Sequence, residues 1–222
     1  MMIVGGVGGD LDAYVWKDWI MAYKGWDDQM WAEFYKEYSA LLGNGDFAGQ
    51  QAALDDIGVR IFSWGGNTMA EGAENAGEKW THKMVDQLAS EMEGMQDITL
   101  VGHSKGGNLV MHYMNRLEAD DLAADAPRPL HVVLIAPATN PFSFLRAALP
   151  VSRIPKDGPE TVNICSTGDF VCSSSLRNAL NVNPPRSHGH NGYPYPGRFA
   201  HGSYAESTLE TLHIQGDHNA YN

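Results

Sequence analysis

An apolar run, Ile98-Thr99-Leu100-Val101, breaks at Gly102-His103-Ser104-Lys105-Gly106 and resumes at once as a helical repeat carrying Leu109, Val110, Tyr113, Met114 and Leu117 on one face. A strand delivered into a helix through so short a bend leaves its serine on a strained turn, with the hydroxyl raised above the sheet edge. Side chains in place of Gly102 and Gly106 would collide with neighbouring backbone. A unit of this kind belongs in a sheet whose strands are joined by crossover helices.

Four further apolar runs rich in strand-forming residues fit that sheet: Met2 to Val4, Val59 to Trp64, His131 to Ala136 and Thr161 to Cys165. Between the second and third strands Trp80, Met84, Val85, Leu88 and Met92 make a helical stripe that covers the sheet. Strands alternating with helices predict about five strands, mainly parallel, with helices on both faces, and the serine bend set in such a sheet resembles that of the α/β-hydrolase fold. A length of 222 residues suits a single domain spanning 1–222. Tyr14 to Phe47 holds Trp16, Trp19, Trp26 and Trp31 and reads as helix. A core-facing role is favoured there over a substrate-facing aromatic wall, because aromatic stripes usually pack. Residues 139–158, with Phe142 and Phe144, form either a small lid that touches substrate or a plain crossover helix. The Pro- and Gly-dense stretch from Pro184 to Pro196 reads as a surface loop.

The formal charge is −12, and the 15 Lys and Arg form no basic run, so nucleic acid is not an expected partner. No stretch approaches a transmembrane length, and a monomer is expected. Strand-like residues directly after Met1 leave no signal peptide in the chain as it stands. Cys165 and Cys172, the only two cysteines, flank the Gly168-Asp169 turn. They can pair if the turn folds back, which points to a secreted protein; two free thiols in a cytoplasmic enzyme are the alternative.

The serine in this setting is a candidate nucleophile, and its chemistry needs three further groups. Two backbone N–H donors must face the developing oxyanion: one from Lys105 at the helix start, the other from Val7 in the cluster Gly5-Gly6-Val7-Gly8-Gly9. That cluster lacks the Lys-Ser/Thr ending of a phosphate loop. An acid is expected beyond a later strand, where Asp169 stands, with Asp157 and Asp217 as alternatives. A base is expected downstream of the acid. His201, between the Pro/Gly loop and a final helical stretch, is favoured over His188, His190, His213 and His218. His103 reads as a packed neighbour of the serine. Neither a metal nor an organic cofactor is implied, since no carboxylate or cysteine stands at ligand spacing beside the histidines.

The segment Cys165-Ser166-Thr167-Gly168-Asp169-Phe170-Val171-Cys172 resembles the Cys-x-x-Gly-Asp-x-Val-Cys segment of cutinases, and His201-Gly202-Ser203-Tyr204 fits that family's His-x-x-Tyr context. Val4-Gly5-Gly6-Val7-Gly8-Gly9 is similar to the oxyanion loop of small bacterial lipases. The resemblance implies a Ser104, Asp169, His201 triad, a Cys165–Cys172 disulfide around the acid, and hydrolysis of an ester or lipid. A phospholipase or thioesterase would use the same triad. A binding or effector domain that keeps the elbow as a relic is the non-catalytic alternative.

Overall fold

The computed structural model describes residues 1–6, 13–62, 78–138, 154–165, 176 and 178–182. Among these, six strands form one sheet: β1 (Met2–Val4), β2 (Arg60–Phe62), β3 (Thr99–His103), β4 (His131–Ile135), β5 (Glu160–Ile164) and β6 (Leu180–Val182). Their order is β2-β1-β3-β4-β5-β6, and every neighbouring pair runs parallel. The sequence predicts five strands; β6 is the sixth. Its three residues hold only two apolar side chains split by Asn181, too little pattern to announce a strand. Tertiary pairing with β5 creates it, at Val162 with Leu180 through Ile164 with Val182.

Side chains alternate across the sheet and build two cores. Met2, Val4, Leu100, Val132 and Leu134 face the helices α4 (Glu78–Glu91) and α5 (Lys105–Glu118), where Leu88, Met92, Val110 and Tyr113 are buried against them. Ile3, Val101, Val133 and Ile135 face the opposite layer, a short 3₁₀ turn (Ala13–Trp16) followed by α1 (Lys17–Lys24), α2 (Asp28–Gly43) and α3 (Phe47–Asp56). Covering both faces is what lets strands such as Met2–Val4 be apolar throughout. Trp16, Trp19, Trp31 and Tyr38 are buried in that second layer, so the aromatic segment is mainly core, as its pattern predicts. Phe34 and Tyr38 stack with ring centroids 5.6 Å apart. Tyr14 and Phe47 stand exposed.

Helix boundaries have local causes. Asp27 accepts from the Met30 N–H at 2.9 Å and caps α2, and Asp46 accepts from the Gly49 N–H at 2.9 Å and caps α3. Arg116, in the last turn of α5, donates to Asp86 of α4 at 2.8 Å and to Asp121 at 2.9 Å, pinning the two helices together. No helix among the described residues is long and apolar enough to cross a membrane.

The chain runs from β1 outward to the edge strand β2, then back across β1 to β3. The connections leaving β1 and β3 therefore diverge and open a crevice at their C-terminal ends, where open parallel sheets place ligands. Ser104 follows β3 at that point.

Candidate active site

Ser104 is the single residue between β3 and α5, with φ 54° and ψ −122°. A positive φ is uncommon for a residue with a Cβ, and holding one costs roughly 1–3 kcal/mol, so the surrounding structure must impose it. Three backbone bonds do so. The Ser104 N–H donates to Ile135 O at 3.0 Å, while Ser104 O accepts from Ala138 N at 2.8 Å and from Asn108 N at 3.3 Å.

Glycines make the approach possible. A Cβ on Gly102 would sit 2.7 Å from Gly107 Cα, and one on Gly106 would drive into the carbonyl oxygens of Val4 and Gly5. The first turn of α5 therefore rests directly on the end of β1. Gly6 comes closest to the serine itself: an added Cβ would lie 2.8 Å from Ser104 Cβ and 3.3 Å from Oγ. Residues nearly a hundred positions apart thus meet through bare backbone. Lys105 occupies the first helical position, where N–H groups have no acceptor within the helix and the helix dipole presents its positive end.

The side chains flanking the serine are buried as well. His103 is 7 % exposed, and its ring meets the indole of Trp16 edge-on with centroids 6.2 Å apart, which fits the packed role expected for it. Lys105 is 1 % exposed, and burial lowers its ammonium to a pKa of about 8.

Of the residues predicted from sequence, the structure brings together Ser104, Lys105 and the glycine loop at Gly5 and Gly6. Cys165 follows β5 directly, is buried and is not a free thiol. Val7, Phe142, Phe144, Asp169, Cys172 and His201 lie outside the described residues, as do the alternative histidines, Asp217 and most of the 139–158 segment. Asp157 is described and does not serve. It precedes β5 and lines a cleft of about 470 Å³ with Met114, Arg128, Leu130 and Pro155. That cleft lies at the N-terminal ends of β4 and β5, across the sheet from Ser104, so it takes no part in chemistry at the elbow.

Sequence reading missed two contributors. Asn108 is wholly buried one turn into α5 and donates to Ala138 O at 3.1 Å. Ala136 holds φ 42° just beyond β4. Neither is marked locally: Asn108 shares its side of α5 with the polar His112 and Asn115, and nothing sets Ala136 apart.

No curated protein matches the chain. Residues 60–166, just under half of the chain and running from β2 through the elbow to the end of β5, match the model of the PE-PPE domain. That match supports the lipase half of the resemblance drawn from sequence and does not reach to cutinases. A parallel α/β sheet and a strained serine at the end of β3 accompany that match, which supports a likeness to the lipase-like superfamily over those residues.

Proposed function

We propose that the chain is a serine carboxylic-ester hydrolase acting on an ester or lipid, with Ser104 as nucleophile, His201 as base and Asp169 as the acid that orients it. The observation that carries this reading is the φ of 54° at Ser104 on a strand-to-helix bend, with Gly6 backed against its Cβ. Strain of that kind persists where surrounding contacts impose it, and it is typical of reacting groups.

In the proposed reaction, His201 takes the Oγ proton as Oγ attacks the ester carbonyl, and the Oγ–C bond forms while the carbonyl becomes an oxyanion. The backbone N–H groups of Lys105 and Val7 receive that charge. Collapse of the intermediate breaks the bond to the alcohol, which leaves with the proton from His201. Water, deprotonated by His201, then attacks the acyl carbon; the Oγ–C bond breaks, the acid is released, and His201 returns the proton to Oγ. The position of Gly6 beside Ser104 supports the glycine loop, on which Val7 comes next, as the source of the second donor. Residues 139–158, with Phe142 and Phe144, are proposed to cover the acyl chain, and a Cys165–Cys172 bond is proposed to brace the turn bearing Asp169.

A panel of p-nitrophenyl esters of increasing acyl length, run on the wild type and on Ser104→Ala, tests the reading. Hydrolysis is expected to fall by at least about a thousandfold in the variant, with its thermal unfolding little changed. Turnover retained by Ser104→Ala would remove Ser104 from the chemistry. A wild type inert to the whole panel and to a fluorophosphonate probe would favour a binding domain.

A further inference from the structure

The short link that leaves β4, residues 135–138, touches both sides of the proposed machinery. On one side Ile135 O accepts from Ser104 N at 3.0 Å and Ala138 N donates to Ser104 O at 2.8 Å. On the other, Ala136 N donates to Ile164 O at 2.7 Å, at the last residue of β5, directly before Cys165. Ala136 spans the gap with φ 42°, a conformation an alanine does not keep unaided.

Asn108 closes this arrangement into a ring. Its N–H reaches Ser104 O at 3.3 Å, its Nδ2 donates to Ala138 O at 3.1 Å, and Ala138 N returns to Ser104 O. The neighbouring Pro137 packs on Gly107 so closely that a Cβ there would lie 2.8 Å from Pro137 Cβ. The amide is a poor choice for stability alone. Asn108 is fully buried, and its Oδ1 has no hydrogen-bond partner among the described residues, so the side chain gains one bond and leaves one acceptor desolvated. An apolar side chain of the same volume would remove that acceptor and take the donor from Ala138 O, two changes that largely offset each other in stability.

We propose that Asn108 is a positioning residue, which locks the 136–138 link onto the elbow and thereby holds the strained turn that presents Ser104. The proposal rests on Ser104 being the nucleophile. It predicts that stability and reactivity separate: Asn108→Leu, close in volume, removes the unpaired acceptor together with the lock.

The experiment compares wild type, Asn108→Leu and the isosteric Asn108→Asp, which keeps shape but places a carboxylate against Ala138 O. Thermal unfolding, the rate of fluorophosphonate labelling at Ser104, and kcat and KM on one p-nitrophenyl ester are measured for each. The expected result is labelling and kcat lowered about tenfold in both variants, KM within about twofold, and Asn108→Leu unfolding within a few degrees of wild type. A folded variant that labels at the wild-type rate would overturn the role of Asn108 while leaving Ser104 in place. Failure of both variants to fold would make Asn108 a fold residue and overturn it equally. A wild type that takes no label would instead refute the nucleophile, and the positioning role with it.

Discussion

Lys105 sits where a cation is least welcome: wholly buried, and at the positive end of the α5 dipole. Burial lowers its pKa from the ordinary 10.5 to about 8 in the folded chain. Between those two values the unfolded chain holds a proton that the folded chain has released, so stability rises with pH across that window. Below about pH 8 the folded state holds the ammonium against its burial. Lys105→Met has no proton to release in that window, so relative to wild type it is expected to fare better at pH 7.5 than at pH 10. Its stability relative to wild type should fall by about 2–3 kcal/mol as pH rises through the window, read from urea unfolding at pH 7.5 and 10. Ester hydrolysis should survive the change, because the group proposed to meet the oxyanion is the backbone N–H of residue 105. A difference from wild type that is the same at both pH values would show that burial of charge is not the cause.

At the scale of elements, the site is a contact between the first turn of α5 and the end of β1, with no side chain between them. Gly106 is the test of that contact. Its alanine variant would press a methyl into two main-chain carbonyls, which no rotamer can relieve. Gly106→Ala is expected to lose about 1–3 kcal/mol of stability and most ester hydrolysis together, since helix, elbow and glycine loop must shift as one. Asp46→Ala, at the exposed N-cap of α3, should cost about 1 kcal/mol and leave hydrolysis untouched. Chemical unfolding and initial rates on the same preparations check both; equal losses of activity in the two variants would mean that general instability, not the elbow, governs the rate. Long apolar runs and the helical repeat after Ser104 were legible in sequence because their period is local. The strand β6 was not, because two apolar residues around an asparagine become a strand only when β5 offers hydrogen bonds to it.

Over the whole molecule, the proposed Cys165–Cys172 bond closes a loop of only eight residues. Chain entropy for such a loop is worth about 2.5 kcal/mol, so reduction is expected to lower the unfolding temperature by roughly 5–10 °C. Thiol titration of the denatured, unreduced chain should find neither cysteine, and recovery of two thiols would refute the bond. The amphipathic pattern of each segment, the bend at Ser104 and the need for glycine around it were determined by the sequence alone, because sterics and periodicity act within a few residues. The order of the strands, the meeting of Gly6 with Ser104, and the link through Ala136 that joins the elbow to β5 were decided only in the tertiary structure. Those contacts depend on which backbone groups from distant parts of the chain find each other once the sheet pairs, and no local pattern of side chains carries that information.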